Sequence, residues 1–157
     1  MKKKILGLAL MGLVFPWLLF GADQRNTPID MYLIFDGSSA IKSGRDSAIN
    51  WLCDTIVEGL LREGDTLNIW LAADRAEEVF SGPIGGADQK EQVKTKLRAL
   101  SAQSAHADYA GALRAAEDRQ KAAAGRKIAY TLLISGPANG ASGDSTALSR
   151  ELAGLLR

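Results

Sequence analysis

An α/β fold, with a Rossmann-like, mostly parallel sheet flanked by helices, is predicted by three features of the 157-residue sequence. Strand-like and helix-like segments alternate along the chain. Several of the strand-like segments are apolar almost throughout, as strands covered on both faces are. The helix-like segments instead carry their apolar residues on one stripe.

The elements follow in order. Residues 29–35 read as a short apolar strand despite Asp30, and residues 45–62 as an amphipathic helix that stops near Gly64. Ile49, Leu52, Cys53, Ile56, Leu60 and Leu61 recur on that helix at helical spacing. "TLNIWLAA", residues 66–73, and residues 77–80 read as two further strands, with "AADR" as a tight connection. Gly85 and Gly86 open a loop, after which "ADQKEQVKTKLRAL" and "ADYAGALRAAEDRQKAAA" make a second and a third helix. "KIAYTLLIS", residues 127–135, is the strongest strand pattern, apolar on both faces. A loop rich in Gly, Ala and Ser then precedes a last helix from about Asp144 to the end. Trp51 and Trp70 are expected to pack against the sheet. Cys53 is the single cysteine, which excludes an intrachain disulfide and a thiolate metal cluster, and its place on the helical stripe makes it a small buried hydrophobe.

A hydrophobic content of 46% and a charged content of 24% describe one globular domain, residues 29–157, and exclude a disordered chain or a nucleic-acid-binding tail. A net charge of +1 names no partner. Lys2, Lys3 and Lys4 precede an apolar run over residues 5–20, followed by the small residues Gly21 and Ala22. That is the layout of a secretory signal peptide over residues 1–22, with residues 23–28 as a linker. Phe20, where a small side chain is preferred, leaves retention as an N-terminal membrane anchor as the second reading. Both readings have the segment engage the membrane during export and place the domain outside the cytoplasm, periplasmic or secreted. Without the three lysines the remaining chain is mildly acidic.

In sheets of this kind the site forms beyond the carboxyl ends of the strands, where Asp36 and Gly136 both fall. A phosphoryl-transfer aspartate would want a second Asp two residues on, where Ser38 stands. A phosphate cradle would want a different glycine spacing from "DGSSAIKSG". A serine hydrolase needs a base beside its nucleophile, and the one histidine, His106, sits on the loop before the third helix. An oxygen-lined site for a hard cation such as Mg²⁺ is the remaining candidate, since an Asp and neighbouring Ser hydroxyls are its natural ligands.

"IFDGSSAI" resembles the first metal-site motif of von Willebrand factor type A domains, Asp-x-Ser-x-Ser after a hydrophobic strand. "ADYAGALRAA", residues 107–116, is similar to their second element, and "YTLLISGPANG", residues 130–140, to the third, an apolar strand ending in Thr-Asp-Gly. The resemblance covers residues 29–157 and implies a protein-binding domain with metal ligands at Asp36 and Ser38. The chain departs from the motif at Ala40 in place of the second Ser, Ala107 in place of the Thr, and Gly136 in place of the Asp, so three of the five expected oxygen ligands are missing. No cofactor is therefore expected, because Mg²⁺ gives up its water only to several fixed oxygens. Asp36 is expected instead to accept backbone N–H bonds at the loop, with Asp108 capping the third helix and Asp144 the last.

The resemblance also implies two further strand-helix units beyond residue 157, and without them residues 127–135 would form an uncovered apolar edge. The expectation is thus an exported, non-enzymatic interaction domain. Its partner is a protein, bound at Asp36, Ser38, Ser39, Asp108 and Tyr109, or a second copy of the chain at the open edge. No nucleic-acid partner is expected. The alternative is a small exported hydrolase-like enzyme using Asp36 and Ser38.

Overall fold

The computed structural model describes residues 25–123 and 127–136. The expected signal, the first two residues of the linker, the loop beyond residue 136 and the last helix with Asp144 lie outside the described residues.

Four strands form one sheet in the order β3-β2-β1-β4. Strand β1 (Ile29–Asp36) is central and buried at every position. It runs parallel to β2 (Thr66–Ala72), pairing Leu33 with Ile69, and parallel to β4 (Ile128–Ile134), pairing Leu33 with Leu132. Strand β3 (Ala76–Pro83) turns back antiparallel on β2 after the expected tight connection, with a register shift between Ile69 and Trp70. The mostly parallel sheet expected from the sequence is thus present, its one antiparallel pair being the hairpin.

Side chains alternate across a strand, so β1 feeds two cores at once. Its odd-numbered residues Ile29, Met31, Leu33 and Phe35 join Leu67 and Ile69 of β2 beneath the helices that follow β1 and β3. Those helices are α1 (Arg45–Trp51), which continues with π-helical pairing over Leu52–Leu60, and α2 (Ala87–Arg98). The even-numbered residues Tyr32 and Ile34 join Trp70 and Ala72 beneath α3 (Tyr109–Ala123), which contributes Ala112, Leu113 and Ala116. Tyr32 and Trp70 stack with ring centroids 6.2 Å apart.

Polar contacts fix the ends of these layers. Asp65, fully buried, accepts the Ile29 N–H at 2.8 Å and the Arg62 N–H at 3.0 Å, and Arg25 reaches it at 3.1 Å. One carboxylate thereby sets the start of β1 against the start of β2. Arg45 at the head of α1 donates to the carbonyls of Leu100 at 2.8 Å and Arg98 at 2.7 Å, satisfying the open end of α2. Gly64 takes the positive φ of 92° that the turn into β2 requires.

Trp51 corrects an expectation. It is 44% exposed, because the buried stripe of its helix runs through Ile49, Leu52, Cys53, Ile56 and Val57 and Trp51 points away from it. Trp70 is buried as expected, and so is Cys53, whose thiol burial pushes upward from its ordinary pKa.

Two outcomes follow for unfolding experiments. Leu33→Ala empties the centre of the larger core and is expected to cost about 2–5 kcal/mol in urea titrations, against about 0.5 kcal/mol or less for Trp51→Ala. Cys53 is expected to react with a colorimetric thiol reagent at neutral pH only as fast as the chain opens; immediate reaction of the folded protein would show an accessible thiol.

Candidate functional site

At the carboxyl ends of β1, β2 and β4, four stretches of chain close on one another. The loop after β1 is tied to the end of β2 by the Gly37 N–H on the Ala72 carbonyl at 2.8 Å. It is tied to the loop before α3 by the Ser39 N–H on the Ser104 carbonyl at 2.9 Å and the Ser104 N–H on the Gly37 carbonyl at 3.1 Å. The Asp108 N–H donates to the Ala73 carbonyl at 2.7 Å, bringing the head of α3 onto the end of β2.

Asp36 stands at the middle of this closure and is 1% exposed. Its Oδ1 accepts the Ser38 N–H at 2.7 Å. Its Oδ2 accepts the Tyr109 hydroxyl at 2.7 Å and the Gly136 N–H at 2.9 Å. The carboxylate therefore links its own loop, the first residue of α3 and the end of β4. Bonds to an ionised acceptor are short and strong, and three of them offset much of the cost of taking the charge out of water.

The remaining residues singled out from the sequence fall as follows. Ser38 is buried, and its Oγ accepts the Ala40 N–H at 3.3 Å, opening a short 3₁₀ turn over Ser39–Ile41. Ser39 is exposed on that turn. Asp108 caps α3 as expected, its Oδ1 accepting the Gly111 N–H at 2.8 Å and its carbonyl the Ala112 N–H at 3.1 Å. Tyr109 is half-buried, its ring against the α3-side core and its hydroxyl on Asp36. His106 is exposed on the loop.

Gly136 is the position where closure is tightest. A Cβ there would lie 2.7 Å from the Ala40 carbonyl carbon and the Ile41 nitrogen and 2.9 Å from the Ala40 oxygen. The backbone of the first loop thus occupies the space that a side chain at residue 136 would need. Ser104 had no role in the sequence reading. It acts through its backbone alone, which residue type does not report.

Among the described residues, no three or more His, Cys, Asp or Glu side chains gather in an arrangement able to hold a metal ion. No helix among them is long and apolar enough to cross a membrane.

No family model matches the chain, and no curated protein sequence matches it. Solved structures do. Von Willebrand factor type A from Catenulispora acidiphila superposes with a TM-score of 0.58 at 16% identity, over 81% of this chain and 30% of that one. Proximal thread matrix protein 1 (PTMP1) from the mussel byssus, in a form with a zinc-occupied MIDAS motif, gives 0.54 at 19% identity, over 80% and 34%. The vWF domain of the type V pili tip protein Mfa5 from Porphyromonas gingivalis gives 0.51 at 19% identity, over 69% and 38%. The chain thus has the von Willebrand factor type A fold, with a sheet that is short beside these relatives, and it spans about a third of the length of the solved chains it matches.

Removing one donor from Asp36 by Tyr109→Phe is expected to lower the unfolding free energy by about 1.5–3 kcal/mol. Gly136→Ala is expected to cost about 1–3 kcal/mol as the two loops are forced apart. Gly86→Ala, where a Cβ meets nothing within 4 Å, serves as the comparison and should cost no more than about 0.5–1 kcal/mol, the effect of an alanine at the N-cap of α2, in the same denaturant titration. Equal effects at the two glycines would contradict the close approach at residue 136.

Proposed function

We propose that the protein is an exported, non-enzymatic interaction domain that binds protein without a metal ion, and that its principal surface is the open edge of β4. The observation that carries this reading is the edge itself. Among the described residues β4 pairs only with β1, and it exposes Ile128 at 52% and Tyr130 at 48%. An edge strand offers unpaired N–H and C=O groups to a further strand, and a second copy pairing antiparallel would extend the sheet while bringing both pairs of apolar side chains together. Export is supported by the basic start and apolar run over residues 2–20. Likeness to a pilus-tip domain and a byssal matrix protein agrees with a role outside the cell.

The residues present do not fit the metal that the fold family implies. Asp36 has both oxygens occupied by protein donors, and the Ser38 hydroxyl accepts the Ala40 N–H. The three other ligand positions of the resemblance hold Ala40, Ala107 and Gly136, the last with no room for a carboxylate. A cation there would have to displace the bonds that hold the loops together while gaining few oxygens in return. The loop face can still receive a protein, through exposed Ser39 and half-buried Asp108 and Tyr109.

The hydrolase reading finds less support. Among the described residues no base bonds the Ser38 hydroxyl, and His106 lies exposed on a different loop.

Light scattering after size-exclusion chromatography tests the reading. The full chain is expected to run as a dimer whether or not Mg²⁺ is added, and Tyr130→Lys, which sets like charges facing one another across the joined edges, is expected to give the monomer. A parent protein that is monomeric at high concentration, or a dimer untouched by Tyr130→Lys, would remove the edge as the interaction surface.

A further inference from the structure

The end of the sheet opposite Asp36 holds a cavity of about 350 Å³ on the α3 side, between the starts of β1 and β2 and the last turns of α3. Along β1, Tyr32 at the near side of the cavity stands four residues, about 13 Å of strand, from Asp36. A sheet face beneath a helix is ordinarily apolar, and here it changes character along its length. Toward Asp36 the face is built from Ile34, Trp70 and Ala72 under Ala112, Leu113 and Ala116. At the other end Tyr32, Asn68 and Ser81 lie side by side across three strands, with Asp30 one pleat further on, and the helix above presents Arg119.

Asp30, Tyr32 and Asn68 are buried, Ser81 is partly buried and Arg119 is exposed, and their bonding capacity is not used up. Arg119 donates to the Ser81 Oγ at 3.0 Å, and the Ser81 hydroxyl donates to the Asn68 Oδ1 at 2.8 Å. That relay fixes the Asn68 amide, and its NH₂ group, which bonds no protein group among the described residues, is open to the water of the cavity. The Tyr32 hydroxyl also bonds no protein group there, and burial, aided by the Asp30 carboxylate and opposed by Arg119, holds its pKa above the ordinary phenol value. Donors and acceptors with spare capacity converging on one cavity offer bonds to whatever displaces its water.

The charges say what kind of ligand this is. Each cation at the cavity already has its own carboxylate, Lys127 with Asp30 at 3.3 Å and Arg119 with Glu78 at 2.5 Å. A net charge on the ligand would therefore meet no uncompensated opposite charge. What is on offer is a mixture of donors and acceptors within a small volume: the Asn68 NH₂, the Tyr32 hydroxyl, the spare N–H groups of Arg119 and an oxygen of Asp30. Hydroxyl groups, each one donor and two acceptors, match such a mixture. We propose that this cavity binds a small neutral polyol of monosaccharide size, at a site separate from the protein-binding edge.

Nuclear magnetic resonance on the ¹⁵N-labelled full chain tests this with D-glucose, D-galactose and D-mannose as probes, and sodium sulfate as an anionic comparison. At least one hexose is expected to shift the Asn68 side-chain amide and the Arg119 Nε–H signals saturably, and sulfate at equal concentration to leave them in place. Asn68→Leu is expected to weaken binding about tenfold, the equivalent of one lost hydrogen bond of ordinary strength. Arg119→Met, at an exposed position that leaves the core intact, should do the same, and Lys42→Ala, on the far loop, should change nothing. Absence of saturable shifts with all three hexoses, or saturation by sulfate alone, would overturn the proposal, as would hexose binding that both Asn68→Leu and Arg119→Met leave unchanged.

Discussion

The arrangement of one end of this molecule depends on a single buried carboxylate. Asp36 ends the central strand with almost no exposure, and an ion so placed is tolerated only where donors surround it. The donors come from Ser38, Tyr109 and Gly136, residues separated by up to about a hundred positions in sequence. Satisfying the charge therefore determines where the first loop, the head of α3 and the end of β4 sit. The backbone bonds among Gly37, Ser39, Ala72 and Ser104 then complete a closure that the carboxylate makes possible. Closure has its own requirement at Gly136, where the Ala40 and Ile41 backbone leaves no space for a side chain.

The two ends of the sheet consequently differ in kind. At the carboxyl end of β1, polar groups answer one another and the space between them is filled. At its amino end the strands present Asp30, Tyr32 and Asn68 toward a cavity, with bonding capacity left over. The same strand supplies both, because alternation gives its odd residues to the core under α1 and α2 and its even residues to the α3 side. The β4 edge is a third surface, defined by backbone groups and by Ile128 and Tyr130 rather than by any motif.

Most of the fold was legible because its signals are local and strong. The apolar runs of β1 and β4 mark two parallel strands, of which β1 is buried throughout while β4 leaves Ile128 and Tyr130 exposed, and the topology rule for such sheets puts Asp36 and Gly136 at the same end. Helix boundaries fell close to expectation, since Gly64 and the Gly85-Gly86 pair are backbone signals readable from residue type. The exposure of Trp51 was within reach of the same periodicity that marked Ile49 and Leu52 as buried, but an aromatic ring was credited with burial on its size. The π-helical pairing of Leu52–Leu60 leaves no mark in a pattern that fits ordinary helical spacing equally well. The role of Ser104 was beyond reach for a different reason, since only its backbone takes part. Likewise the contact between Gly136 and Ala40 needs two loops brought together in space, and a glycine in place of a ligand reads at first as a loss rather than as a fit.

Whether Asp36 serves the protein's own donors or a cation is open to direct measurement. A titration of the ¹⁵N-labelled chain with Mn²⁺, followed at the Ser38 and Gly136 amides, bears on it most directly, because both N–H groups point at the carboxylate and paramagnetic broadening falls off steeply with distance from the ion. Both signals are expected to keep their positions and widths through millimolar Mn²⁺. Broadening centred on these two amides, and abolished by Asp36→Asn, would contradict that expectation and return Asp36 to the role of a metal ligand.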